Sequence, residues 1–466
     1  MDKDRFKDFD EEERQLVLDF ENTVLRGGHR FFDVDELEII MDYYFEVNDI
    51  APLERAVEYA EQLYPDSTTV RLRRAHLLIA KEKFDQALDI ITELRRREPD
   101  NTDVAYSLGV AYGAMGEHKK AIDYYLEAAA DGWLLGRVYA NIAEEYYHLQ
   151  DYDEAIRYYQ LALDTDSYDS ATLYNYLDTA LQSNRLEETV NYLKSFVGEH
   201  PYSCEAWHCL GNAYRELGLF EQAVDAYEYA IAIDKTNYNV YVDYSATQEF
   251  LGKPADAVTT LLRARDYVSN RSLLYRQVAT IYMESDNLDM AMLYYRKAVE
   301  ENPDDAVALA SLALAYAAGD DVSVAMPYLR KAVRLAPDTA EVLFSAALLF
   351  EGIDNVEAAS DFYERVMLSD GCTELMCQRY VQFLYKNKNY NILVDFAEES
   401  LEIYPNNPFY CTYLAAAYFH LNRYNRASHV LPYVLPSVLA EICPEIMTNK
   451  HLAPLIPEDN QNKHPQ

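Results

Sequence analysis

The sequence predicts an all-α fold, an α-solenoid of about twelve helical hairpins stacked in one array. Three observations predict it. Small and aromatic residues recur together every 34 residues between residues 34 and 441. Glycine (14) and proline (16) are scarce for 466 residues, which favours helix. Tyrosine, abundant at 42 residues, is absent before residue 34 and after residue 441, so the array is set off from both ends.

The first element, residues 1–33, is a charged N-terminal segment. Within it, residues 7–26 read as a helix, because Phe9, Leu16, Val17, Phe20 and Val24 are partly periodic, and Gly27-Gly28 follow. A helix there serves to cap the first hairpin, since a terminal repeat has one uncovered apolar face.

The array spans 34–441 as twelve units of 34 residues, numbered here by position within each unit. Position 8 is small in nine of twelve units, among them Ala75, Gly109, Ala143, Gly211 and Ala279. Position 20 is alanine in nine of twelve, as at Ala87, Ala121, Ala155 and Ala223. Position 11 is aromatic at Tyr44, Tyr112, Tyr146, Tyr214, Tyr282, Tyr316, Phe350 and Tyr418, and position 32 is proline at Pro65, Pro99, Pro201, Pro303, Pro337 and Pro405. Small residues at 8 and 20 allow two helices to approach, and the aromatics at 11 and 24 are expected to fill the space between neighbouring hairpins. Proline at 32 ends the second helix, because it cannot continue one. Gly113 and Gly116, or Leu217-Gly218, fall in or near the turn between the helices.

Several units depart from the pattern. In unit 5, Leu177 and Phe196 stand where small residues belong and Ala180 where the aromatic belongs, a volume-compensated exchange. Unit 7 has Gln248 in the aromatic slot. Pro327 is expected to kink the second helix of unit 9 near Ser323, and Pro432 and Pro436 to break that of unit 12. Unit 11 keeps little of the pattern beyond Pro405. Residues 442–466 are expected to form a C-terminal cap followed by a disordered tail from Pro457.

The unit beginning at Cys204 carries Trp207, Leu210, Gly211, Tyr214, Ala223, Tyr227 and Ala230. This W-x2-L-G-x2-Y, then A-x3-aromatic spacing resembles the tetratricopeptide repeat family, in the long multi-repeat form found in bacteria. The resemblance implies a right-handed superhelix, a concave groove lined by first helices, and function through binding other proteins.

Composition narrows the partners. The formal charge is −38, from 79 acidic and 41 basic side chains. That field repels nucleic-acid phosphates and anionic membranes, so neither is expected as a direct partner; it favours basic partners or serves solubility alone. The N-terminus lacks an apolar targeting core, and the longest nearly apolar run, Ala306 to Ala318, is too short to span a bilayer, so a cytoplasmic protein is expected. The six cysteines, Cys204, Cys209, Cys372, Cys377, Cys411 and Cys443, include no CxxC pair and are expected to be buried small hydrophobes.

No enzyme is expected. The sequence lacks GxGxxG, P-loop, GxSxG and HExxH patterns, and the repeats leave no segment long enough for a catalytic domain. No cofactor is expected, and His200 and His208, eight residues apart, are a weak metal signal. Adjacent carboxylates such as Glu144 and Glu145 point in different directions on a helix and are expected to be solvated.

By resemblance, positions 2, 5, 6, 9, 12 and 13 face the groove. They carry a net charge of −8 in this chain, close to the chain average, so the groove is not a dedicated site for basic peptides. No unit has lysine at position 2 or 5, as the carboxylate clamp of chaperone-tail binders would require. The candidate partner-binding set lies across units 4 to 6: Arg137, Asn141, Glu144, Tyr174, Asn175, Asp178, His208, Asn212 and Arg215. Asparagine suits this task, because its amide both donates to a peptide carbonyl and accepts from a peptide N–H. The competing site is acidic unit 1, with Asp35, Glu38, Asp42 and Glu46. The leading function is therefore a noncatalytic interaction scaffold of unknown partner. The alternatives are an acidic regulatory subunit shielding a basic nucleic-acid-binding partner, and a noncatalytic targeting subunit of an enzyme complex.

Overall fold

The structure, a computed structural model, describes residues 11–25, 30–47, 49–132, 135–165 and 169–457. Every regular element among them is a helix. They belong to two compact units, residues 1–247 and 248–466.

The 34-residue register holds in the helices. First helices begin at residues 34, 68, 102, 135, 170, 204, 238, 271, 306, 340, 374 and 408, each within one residue of position 1. Second helices begin at position 17 throughout: Ile50, Phe84, His118, Tyr152, Leu186, Phe220, Pro254, Leu288, Val322, Val356, Tyr390 and Tyr424. Position 34 explains the starts. Ser67, Asn101, Asp169, Ser203, Asp305, Thr373 and Asn407 each accept a hydrogen bond from the first turn of the helix that follows. Asp33 does the same with a reciprocal bond from Glu36.

The turns share one conformation that the sequence hardly advertises. Position 15 is left-handed at Glu82, Gly116, Gln150, Asn184, Gly218, Gly252, Asp286, Asp320, Asp354, Lys388 and Asn422. In each such turn the N–H of position 16 reaches back to the C=O of position 11, as from Lys83 to Leu78 at 2.8 Å. This six-to-one bond closes the first helix in a Schellman motif. Glycine suits position 15 on steric grounds, yet most units use a polar residue there.

The position-24 rings do meet the next hairpin, as Tyr227 meets Tyr244 at 5.9 Å and Tyr363 meets Phe383 at 4.8 Å, and packing within a hairpin adds a second contact. In five repeats the aromatic at position 11 stacks on an aromatic at position 23 of its own hairpin. Tyr112 lies on Tyr124 (5.5 Å, 3°), Tyr146 on Tyr158 (5.6 Å, 15°) and Phe350 on Phe362 (5.5 Å, 9°). Tyr282 with Tyr294 and Tyr316 with Tyr328 repeat the arrangement. The physical reason is the short turn, which brings the end of the first helix alongside the middle of the second. The small residue at position 8 is explained by position 24. A Cβ on Gly109 would meet the Tyr125 ring at 2.6 Å, and one on Gly211 the Tyr227 ring at 2.5 Å.

The irregular repeats resolve individually. Leu177, Ala180 and Phe196 are all buried, so the exchanged volumes in repeat 5 fill one core. Gln248 is buried and accepts from Thr260 Oγ1 at 2.8 Å, a polar pair in place of a ring. Repeat 11 packs Val381, Leu384 and Leu393 into the core despite its weak signature. Helix Val322–Leu335 runs unbroken through Pro327. In repeat 12 the second helix stops at Val430, turns through Leu431–Tyr433, and resumes over Pro436–Ile442.

At the N-terminal end, helix Glu11–Phe20 lays Val17 and Phe20 against the first hairpin, with the Phe20 ring 5.7 Å from Phe32 and 5.9 Å from Tyr59. At the other end Cys443, Ile446 and Leu452 join the last core cluster. Phe9, Gly27, Gly28, the side chains of Val24 and Glu46, and the tail from residue 458 lie outside the described residues. Among the described residues no helix is long and apolar enough to cross a membrane.

Candidate protein-binding site

Polar side chains on the first helices hydrogen-bond to the same helix of the next repeat, about one period away. His76 Nε2 lies 3.0 Å from Ser107 Oγ, Asn141 Nδ2 donates to the Tyr106 hydroxyl oxygen at 3.0 Å, and Tyr147 O–H donates to Asp178 Oδ2 at 3.0 Å. His76 is held neutral there; burial, aided by the Arg73 and Arg137 charges, pushes its pKa down to about 3.

The densest of these links centres on Asp243, at position 6 of repeat 7. Its Oδ2 accepts from His208 Nε2 at 2.7 Å and Asn212 Nδ2 at 3.2 Å, and its Oδ1 from Arg215 Nη1 at 3.0 Å. A carboxylate can only accept, so Nε2 of His208 carries a hydrogen. In the neutral ring Nδ1 is then the acceptor for the Tyr174 hydroxyl, 3.1 Å away. Tyr227 O–H donates to Asn212 Oδ1 at 2.7 Å. Burial works to raise the Asp243 pKa, but the His208 and Arg215 bonds and charges outweigh it and hold the carboxyl below its ordinary value.

These bonds separate the nine sequence-predicted residues into two groups. His208 is buried, and Tyr174, Asn212 and Arg215 are bound to it or to Asp243. Asn141 is tied to Tyr106, over whose ring the exposed Arg137 guanidinium sits at 5.9 Å. Glu144, Asn175 and Asp178 remain exposed and come together. With Tyr147, His148, Tyr159 and Thr179 they line a concavity of about 110 Å³. The Asn175 side chain makes no hydrogen bond among the described residues.

The neighbour of Glu144 behaves differently from expectation. Glu145 is buried, not solvated, and its Oε2 lies 2.6 Å from His118 Nδ1. Burial raises its pKa, with the His118 bond opposing. Its other oxygen occupies the space a Cβ on Gly113 would need, 2.2 Å away, so Gly113 serves this carboxylate rather than the turn. Adjacent positions on a helix do point apart, and here one of the two points inward.

The acidic first repeat is partly neutralised. Arg73 Nη2 bonds Glu38 at 3.0 Å and Asp42 at 2.9 Å. His200 and His208 have separate surroundings, His200 against Phe196 (4.6 Å) and His208 on Asp243. Among the described residues no group of three or more His, Cys, Asp or Glu side chains could hold a metal ion.

Sequence reasoning missed Asp243, Tyr147 and Tyr159. Asp243 had a signal: it shares position 6 with Asn141 and Asn175. Tyr159 had none, because position 24 reads as core.

Family models for the tetratricopeptide repeat match residues 72–133, 136–169, 204–237, 274–305 and 306–339. The TPR repeat-containing protein YpiA of Bacillus subtilis (strain 168) is 22% identical over 279 residues, covering 52% of this chain and 66% of that protein. Superkiller complex protein 3 of Homo sapiens is 22% identical over 257 residues, covering 53% of this chain and 16% of that protein. The chain thus spans less than two thirds of the length of these curated relatives. Among solved structures, the APC/C hetero-tetramer Cut9-Hcn1 aligns over 87% of this chain and 94% of that one, at 14% identity and a TM-score of 0.36. YrrB, described as a TPR protein with an unusual peptide-binding site, aligns over 40% and 95%, at 21% identity and a TM-score of 0.30.

Proposed function

The chain belongs to the tetratricopeptide repeat family, and on that premise we propose that it is a noncatalytic interaction scaffold whose first-helix face across repeats 4 to 6 holds a segment of a partner protein. One observation carries the choice of place. Glu144, Asn175 and Asp178 are exposed around one small concavity, Asp178 with one oxygen taken by the Tyr147 hydroxyl, while His208, Asn212 and Arg215 of repeat 6 are held by intramolecular bonds. A fixed surround lowers the entropy lost on binding, and an amide beside two carboxylates can take peptide N–H groups and one basic side chain. Human superkiller complex protein 3 is by name a complex protein, which agrees with a subunit-like role. The first repeat is the weaker candidate because Arg73 already engages Glu38 and Asp42.

The test begins by capturing partners from a lysate of the source cells on the full chain. The affinity of the principal partner is then measured for a Glu144→Ala/Asn175→Ala variant and an Asp35→Asn/Glu38→Gln variant. The first is expected to bind about tenfold more weakly, a loss of roughly 1.4 kcal/mol, and the second within about twofold of wild type. The reverse order, with steep salt dependence, would move the site to repeat 1.

A further inference from the structure

Four of the six cysteines are buried, as the sequence leads one to expect, but Cys372 and Cys377 are only half-buried. Their Sγ atoms lie 3.5 Å apart. Local helix chemistry puts them there. Thr373 caps the helix Glu374–Lys386, accepting from the Met376 N–H at 3.4 Å, and the Cys377 N–H bonds the Thr373 carbonyl at 3.1 Å. Cys372 therefore precedes the cap and Cys377 is the fourth residue of the helix. These are the two places whose side chains meet in a hydrophobic staple, fixing the angle at which the chain enters a helix. Here both staple residues are thiols. Met376 is anchored in a cluster with Ala340, Leu343 and Val366, against which Cys372 also packs, so the approach of the two sulfurs is held on both sides.

We propose that Cys372 and Cys377 form an oxidation site, closing to an intramolecular disulfide when the chain meets a hydroperoxide. The sulfurs need to approach by only about 1.5 Å to reach bonding distance, within the reach of side-chain rotation. The electrons balance in two steps. The Cys372 thiolate attacks the terminal peroxide oxygen; the S–O bond forms, the O–O bond breaks, and the departing hydroxide, or alkoxide from an organic hydroperoxide, takes a proton to become water or the alcohol. Cys377 sulfur then attacks the sulfenic sulfur; the S–S bond forms, the S–O bond breaks, and hydroxide leaves with the Cys377 proton as water. The dithiol loses two electrons and two protons, and one hydroperoxide is reduced. Cys372, in the segment before the cap, is the attacking thiol and Cys377, inside the helix beside buried Met376, the resolving one; burial, aided by the Cys372 sulfur, raises the Cys377 pKa. A CxxC search overlooks the pair, since its spacing follows the staple and not the redox motif.

The test uses the full chain, reduced, freed of reductant and exposed to hydrogen peroxide, then alkylated and digested with trypsin. Cleavage after Arg365 and Arg379 releases one peptide, Val366–Arg379, that contains both cysteines. The expected product is that peptide unalkylated and lighter by about 2 Da, the two hydrogens lost on disulfide formation. It should form at least about tenfold faster in the folded chain than in urea, because the staple supplies the proximity. In Cys377→Ser the reaction should stop at a Cys372 sulfenic acid that dimedone traps, and wild type should accumulate none. The proposal is overturned if wild type carries trapped sulfenic acid at Cys372 without the lighter peptide, or if folding slows the closure. The mass readout on wild type needs no variant, so a poorly folded Cys377→Ser chain would not leave the matter open.

Discussion

Asp243 shows how one side chain can organise several. It receives donors from His208, Asn212 and Arg215, three residues on one face of the preceding first helix. Replacing it by asparagine removes the charge while keeping the shape, and should cost about 1.5–3 kcal/mol at pH 7, the range for hydrogen bonds to a charged group. The pH dependence has a definite sign. The folded-state pKa of Asp243 lies below its ordinary value, so its contribution is present above the unfolded pKa, roughly 3.9, and is lost as pH falls through the folded value. Urea unfolding of wild type and Asp243→Asn should therefore show a gap at pH 7 that narrows below about pH 4. A constant gap would mean that Asp243 is not held charged by these partners.

The left-handed position 15 and the close contact at position 8 belong to the hairpin. Lys388 adopts φ 59° with an exposed side chain, a conformation whose Cβ clash costs about 1–2 kcal/mol. Lys388→Gly should stabilise the chain by roughly 0.5–1 kcal/mol, the relief being offset in part by the entropy glycine gains when unfolded. Gly218→Ala, at φ 73°, should do the opposite by about 1 kcal/mol. Denaturant midpoints check both, and equal signs would refute the turn assignment. Position 20 carries a parallel expectation. Ala223 is fully buried between the helices, so Ala223→Leu should cost roughly 1–3 kcal/mol by overpacking. Lys235→Ala, on an exposed turn side chain, should cost within about 0.5 kcal/mol. Identical unfolding midpoints for that pair would break the 34-residue register.

At the scale of the whole molecule, stability in an array of this kind is a sum of hairpins and the contacts between nearest neighbours. Each hairpin should therefore be worth most to the one beside it. Val240, Tyr241 and Tyr244 are buried, and Tyr244 stacks on Tyr227 of repeat 6 at 5.9 Å. A fragment of residues 1–250 should then unfold at least about 5 °C above a fragment of 1–237, given several buried side chains at roughly 1.5–3 kcal/mol each. Both fragments should give purely helical far-UV circular dichroism. A shorter fragment that matches the longer one in stability, or strand signal in either, would contradict nearest-neighbour stacking.

The helical class and the 34-residue period were legible in the sequence because they rest on local constraints. A small residue opposite a ring acts within one hairpin, so it leaves its mark at a regular spacing; the caps at position 34 and the left-handed position 15 are as local, but the residues serving there vary too much to stand out. The stacked pairs of positions 11 and 23 were equally local and could have been read. Tertiary structure decided the rest. Whether Asn212 faces a partner or Asp243, whether Glu145 or Glu144 turns inward, and whether Arg73 leaves Glu38 and Asp42 unpaired all depend on how the first helix of one repeat is rotated against the helices of its neighbour. Those bonds join residues 27 to 35 positions apart, where the period guarantees proximity but not pairing. The candidate site is the part that no single hairpin specifies: the polar residues of repeats 4 to 6 share an address in the sequence, and only packing divides those held by neighbours from those left open.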